Sequence, residues 1–255
     1  MLVLTAALAL FAVGRAGAIT NGTLDGTLHP EVGALIAEFS PGEKDVLCSG
    51  SLIAPRVFLT AGHCTDFLTS IGINDVWVTF APQFTSSSPL IHGTYVTDPL
   101  YGYSGHGGVS DPNDLAVVLL DQAAGATPVQ LPTAGLLNGL NLQNQTFTAV
   151  GYGTVRDIKT TGPHAFYFDS QRRYATQFFL SLEPAWLNLS ENPATGSGGT
   201  CYGDSGGPHF LGGTTSRLQV AITVTGDSVC RATDKTYRLD TASARSFLGR
   251  YVTLP

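Results

Sequence analysis

Short apolar runs of strand length, each closed by glycine, proline or another turn residue, recur along this 255-residue chain and point to β-structure throughout. Residues 46–53, 57–59, 75–80, 115–120, 146–150, 178–182 and 218–224 are such runs. No stripe with the helical period separates them, so a sandwich or barrels is expected rather than a βαβ sheet. The 30 glycines and 14 prolines, against only 13% charged residues, favour many turns over long solvent-facing helices. One helix is expected, at the end of the chain, where Thr241 or Asp240 can cap a segment with Ala244, Phe247, Leu248 and Tyr251 near helical spacing. At 43% hydrophobic content the chain can bury a core as one unit or as two halves. The natural division falls near Leu131 and Pro132, giving segments 19–131 and 132–255. Residues 98–113 and 153–176 read as loops, the second a solvated surface loop carrying Arg156, Lys159, Arg172 and Arg173.

A formal charge of -6 with no basic block excludes the electrostatic footprint of a nucleic-acid binder. Residues 2–12 are an apolar run followed by Ala16, Gly17 and Ala18, the pattern of a signal peptide over residues 1–18. The run is short for a membrane span, so a secreted chain beginning at Ile19 is expected, without a membrane anchor.

Four cysteines, Cys48, Cys64, Cys201 and Cys230, allow three pairings in an exported protein. Local closure, Cys48 to Cys64 and Cys201 to Cys230, is the economical choice, because each bridge braces one segment rich in candidate chemistry. Absence of a CxxC spacing argues against zinc.

Gly203-Asp204-Ser205-Gly206-Gly207-Pro208 carries the strongest chemical signal. A nucleophilic serine needs neighbours without side chains, so that a substrate carbonyl can reach the backbone N–H groups of Gly203 and Ser205 as an oxyanion hole. Serine is a weak nucleophile without a base, and His63 in Thr60-Ala61-Gly62-His63-Cys64 offers one. Asp114, in Asn113-Asp114-Leu115-Ala116-Val117, can hold that imidazole in one tautomer. The same glycines also satisfy a G-x-S-x-G pattern, but that hydrolase order needs an acid and then a histidine after the serine. Only His209 follows, four residues on, which leaves such a site without a base. Histidines 29, 92, 106, 164 and 209 read as loop or surface residues.

The order His63, Asp114, Ser205 within TAGHC, NDLAV and GDSGGP resembles the chymotrypsin/trypsin family of serine proteases. The likeness extends from Ile19-Thr20-Asn21-Gly22 through Val150-Gly151-Tyr152-Gly153 to the last helix. It implies two six-stranded antiparallel β-barrels with the active site between them, hydrolysis of peptide bonds through an acyl-enzyme, and no cofactor or metal. It also implies that a free Ile19 ammonium pairs with Asp204, with peptide or protein substrates and protein inhibitors as partners of a monomer. Gly199 matches the base of the primary specificity pocket, Tyr202 its lip, and Thr225 and Lys235 its walls. Trypsin-like enzymes carry an aspartate at the Gly199 position, so a neutral side chain before the scissile bond is expected here. Thr223-Val224-Thr225 replaces the usual Ser-Trp-Gly, which opens two other readings: a protease-like binding scaffold, or a hydrolase of small esters.

Overall fold

A computed structural model describes residues 19–103, 112–156 and 165–255. The expected signal segment, Lys159, His106 and His164 lie outside the described residues. A short strand β1 (Thr23–Leu24) precedes a closed barrel of β2 (Val32–Ser40), β3 (Glu43–Ala54), β4 (Val57–Thr60), β5 (Asp75–Thr79), β6 (Ile91–Thr97) and β7 (Ala116–Leu120), with helix α1 (Gly62–Ser70) inserted after β4. The strands run in the order β2-β3-β4-β7-β6-β5 and all pair antiparallel.

A second set follows: β8 (Thr146–Gly151), a small hairpin of β9 (Val155–Arg156) and β10 (Phe166–Tyr167), β11 (Arg173–Leu182), β12 (Trp186–Ser190), β13 (Pro208–Leu211), β14 (Gln219–Gly226) and β15 (Thr233–Arg238). The order β11-β12-β15-β14-β13-β8 closes on itself through the β11 to β8 pairing, and β1 joins β11 at its edge. Two antiparallel six-stranded barrels therefore make up the fold, as the sequence likeness implied.

Tight closure needs glycine where strands cross. A side chain on Gly33 would meet the Thr79 carbonyl oxygen at 2.8 Å and the Phe58 ring at 3.0 Å, inside a core of Leu35, Leu52, Phe58 and Val78. Helix α2 (Ala242–Leu248) is capped by Thr241, whose hydroxyl accepts from the Ala244 amide at 3.2 Å, and it buries Ala244, Phe247 and Leu248. Arg245 on α2 donates to the Pro132 carbonyl at 2.7 Å, fastening the helix to the stretch between the barrels.

Two expectations fail here. Helix α1 was not expected beside the terminal one. The solvated loop over 153–176 is also wrong where it is described, because Arg172 is 1% exposed and β11 begins at Arg173. The Arg172 guanidinium donates to Asp25 Oδ2 (2.7 Å), to the carbonyls of Val32 (2.8 Å), Phe80 (3.0 Å) and Gly26 (2.8 Å), and to the Tyr152 hydroxyl (3.1 Å). Tyr152 in turn donates to the Ala81 carbonyl at 2.7 Å, and burial pushes its phenol up to about 12. One cation thereby ties the start of the second barrel's β11 to carbonyls of the first.

Candidate active site

The polypeptide turns from β4 into α1 at Ala61, which gives that helix no side-chain cap. Asp114 supplies the missing acceptor from the entrance of the neighbouring strand β7: its Oδ1 takes the His63 backbone N–H at 2.8 Å, and its Oδ2 binds His63 Nδ1 at 2.9 Å. A single carboxylate thus terminates the helix and fixes the imidazole, placing the ring proton at Nδ1 and the free lone pair at Nε2. Gly62 is required beside it, since a Cβ there would sit 3.1 Å from Asp114 Oδ1 and from the Leu115 backbone. Asn113 turns the chain into this position in the left-handed region (φ 51°), which asparagine tolerates better than most residues. The Asp114 residue is 4% exposed, whereas a third of the His63 side chain is open (32%).

Ser205 lies between Gly203 (φ 91°) and Gly206 (φ 79°), both in conformations that favour glycine. A side chain on Gly206 would strike the Ala61 nitrogen and the Ser49 carbonyl oxygen, each at 2.6 Å, so the serine turn is pressed against the first barrel. The Ser49 hydroxyl donates to the Gly203 carbonyl (3.0 Å) and accepts from the Tyr152 amide (2.9 Å). Amides around the serine are otherwise spent: Asp204 on Cys201, Gly206 on Thr223 and Gly207 on Asp204. Among the described residues, the N–H groups of Gly203 and Ser205 donate to nothing. His63 and Ser205 line one cavity of about 440 Å³, together with Thr200, Tyr202, Thr223 and residues 224–228.

Ile19 is fully buried against Ala149 and Ala175. Thr20 and Gly199 exchange both backbone hydrogen bonds, at 2.7 and 2.9 Å. Ile19 itself holds φ 58°, a strained value for a β-branched residue. The Asp204 carboxylate accepts from Gly153 N–H (2.8 Å) and Cys201 N–H (2.9 Å). Complete burial pushes its carboxyl up to about 7, those two hydrogen bonds oppose the shift, and the Asp234 charge adds to it. No cation lies within ion-pair distance of Asp204 among the described residues.

The expected pocket residues divide. Tyr202, 59% exposed, and Thr225 line the cavity, and the Tyr202 hydroxyl donates to the Ser228 carbonyl at 3.0 Å. Lys235 does not line it: its Nζ sits 4.7 Å from the Trp186 ring centre and 3.7 Å from Glu183 Oε2. Period-two alternation on β15 explains this, since Asp234 faces in and Lys235 faces out. Gly199 is covered rather than open, because a Cβ there would overlap the Glu191 side chain. Sequence reasoning missed Glu191, Asp234 and Ser49; only the alternation on β15 offered a signal, and only for Asp234.

Two of the histidines read as loop or surface residues are buried, His29 within a loop and His209 on β13. His29 is 1% exposed beside Asp25 and stacks on Phe210. His209 is fully buried with Nε2 2.9 Å from the Thr223 hydroxyl, and burial pulls its imidazole down to about 3. Both disulfides close locally, Cys48 to Cys64 and Cys201 to Cys230, as the economical pairing proposed. That accounts for the cluster of metal-type donors at Cys48, His63 and Cys64, whose sulfurs are bonded to one another.

Comparison with known proteins agrees with this geometry. The Trypsin family model matches residues 33–245. A chymotrypsin from Phaedon cochleariae is 27% identical over 204 residues, 78% of this chain and 70% of that protein. A trypsin-like protease from Streptomyces glaucescens is 30% identical over 191 residues, covering 72% of this chain and 67% of the relative. Among solved structures, HL collagenase superposes with a TM-score of 0.65 at 18% identity, over 91% of this chain and 97% of that one, which bears on the fold alone.

Proposed function

We propose, from the premise that this chain belongs to the trypsin family of serine peptidases, that it is a secreted endopeptidase acting through an acyl-enzyme on Ser205. One observation carries the reading: the Asp114–His63 pair opens onto the same cavity as Ser205, whose own amide and that of Gly203 are unspent among the described residues. His63 Nε2 takes the Ser205 hydroxyl proton as Oγ bonds to the peptide carbonyl carbon, and Asp114 stabilises the imidazolium. The carbonyl oxygen, now an oxyanion, is received by the Gly203 and Ser205 N–H groups. Collapse breaks the C–N bond, and His63 passes its proton to the departing amine. Water then repeats the sequence on the ester, releasing the acid and restoring Ser205.

Ile19 and Asp204 are proposed as the activating pair. Burial of Ile19, docking of Thr20 on Gly199 and the lack of a described cation beside Asp204 support it. The cut that exposes an Ile19 ammonium would provide that cation. We further read residues 19–131 and 132–255 as the two halves, and the protein as a monomer open to protein inhibitors. No helix among the described residues is long and apolar enough to cross a membrane. The scaffold and small-ester readings have no observation in their favour.

Fluorophosphonate labelling of the processed protein tests the reading. Labelling should appear on Ser205 and vanish in Ser205→Ala; a processed wild-type protein that resists the reagent would refute it.

A further inference from the structure

The neutral preference expected from sequence rests on Gly199 offering no charge. Position 199 is nonetheless not bare, because the Glu191 side chain, arriving from the end of β12, occupies the space a residue there would use. Glu191 is 1% exposed. Its Oε1 is 3.4 Å from the hydroxyl of Thr200, a residue that lines the cavity, and its Oε2 has no hydrogen-bond partner among the described residues. A nine-tenths buried carboxylate oxygen without a donor, one side chain away from the cavity, is a costly arrangement for a structural group.

Two further carboxylates surround it. Asp234 is fully buried, with Oδ2 accepting from Gln177 Nε2 at 2.8 Å and Oδ1 lacking a partner among the described residues. Asp227 lines the cavity itself and is held in place by the amides of Val229, Arg231, Ala232 and Thr233. Burial first, and then the charges of Asp234 and Asp227, hold the Glu191 carboxyl far above the usual range; burial and Asp227 do the same to Asp234. No compensating cation is at hand among the described residues. His209, 3.5 Å from Asp234 on β13, is kept neutral by burial, Lys235 faces away over Trp186, and Asp204 on the serine loop adds a further acid.

We propose that the cavity beside Ser205 takes a basic side chain, lysine or arginine, before the scissile bond, and that Glu191 is the carboxylate that meets its charge. Asp234 behind it and Asp227 at the wall strengthen the field. The acid thus stands behind Thr200 at the cavity wall, supplied from a neighbouring strand end rather than from position 199. The claim rests on Ser205 as nucleophile for its place in the reaction, though not for binding of the cation.

The test has two arms. Peptide amides that differ only in the residue before the cleaved bond (Arg, Lys, Leu, Phe, Glu) are assayed with enzyme counted by fluorophosphonate titration. Arg or Lys should exceed Leu and Phe in kcat/KM by on the order of 100-fold, and Glu191→Gln should erase most of that ratio. A wild-type preference for Leu or Phe, or a ratio unmoved by Glu191→Gln, overturns the proposal. The second arm uses Ser205→Ala protein and calorimetry, with benzamidinium against uncharged benzamide as probes. Benzamidinium should bind at least about 10-fold more tightly, and Asp234→Asn should weaken it if Glu191→Gln does not fold. Equal binding of the two probes sinks the proposal even where hydrolysis is seen; tighter benzamidinium binding without labelling of Ser205 in the wild type sinks only the peptidase reading.

Discussion

The backbone N–H of Ser49 donates to the carbonyl of Ser205 at 2.9 Å, so a strand of the first barrel holds the nucleophile of the second by its main chain. The Ser49 hydroxyl adds a second tie, to the Gly203 carbonyl, while accepting from the Tyr152 amide. Ser49 is fully buried.

Ser49→Ala removes both hydroxyl bonds and strands the buried Tyr152 amide and the half-buried Gly203 carbonyl. The expected cost is about 1–3 kcal/mol of stability, read from the midpoint of urea unfolding, with a fall in kcat because the turn carrying the Gly203 amide loses its brace. Unchanged stability together with unchanged kcat would show the hydroxyl to be idle.

Arg172→Met leaves Asp25 buried beside His29 without its guanidinium, and a loss of about 3–5 kcal/mol is expected. Arg172→Lys should recover little, because an ammonium has three N–H donors on one atom and cannot serve five acceptors spread around a guanidinium. Denaturant titration of the two variants checks this, and a lysine variant as stable as wild type would contradict it.

Asp114→Asn keeps the shape of the site but presents an amide to His63 Nδ1. The imidazole then loses its fixed tautomer, and kcat should fall by about ten-thousand-fold, the size general for this change in a triad. Binding of benzamidinium should persist, which separates a chemical defect from a collapsed cleft. A loss under tenfold in kcat would argue against the assigned role.

Asp204 gives a pH test of activation. In a chain extended before Ile19, its folded carboxyl sits at about 7, while the unfolded chain titrates near 3.9. The folded state therefore binds this proton more tightly than the unfolded one. Stability from this group is full below about pH 4 and drains away as pH rises to 7, a penalty on the order of 4 kcal/mol above that. A free Ile19 ammonium should offset the penalty, so processed and extended proteins should diverge in melting temperature at pH 7–8 and converge near pH 4. The extended form should also lose most activity. Superimposable pH profiles would remove Ile19 from the activation scheme.

Strand content was legible because it depends on local pattern, whereas the two six-stranded barrels were implied by the likeness of three short motifs to the chymotrypsin/trypsin family. Strand-length runs announce strands, and the small residues around His63 and Ser205 mark close approaches that the structure confirms at Gly62 and Gly206. What stayed hidden depends on partners distant in sequence. Helix α1, rich in threonine and opened by glycine, has little intrinsic propensity; Asp114, at the entrance of the neighbouring strand β7 and far away in sequence, caps it. Arg172 reads as a solvated cation until Asp25 and Val32 are brought to it. The burial of His29 and His209 stayed hidden for the same reason, and Glu191 gave no local hint that it would cover Gly199.

Ile19 holds a left-handed φ, an angle defined only when a residue is attached before it. Sever that bond and the dihedral ceases to exist, so the tension belongs to the uncut chain alone. Processing would then run downhill twice, relaxing a cramped isoleucine while delivering a positive end to a waiting carboxylate, and the folded enzyme would behave as a one-way latch against rejoining.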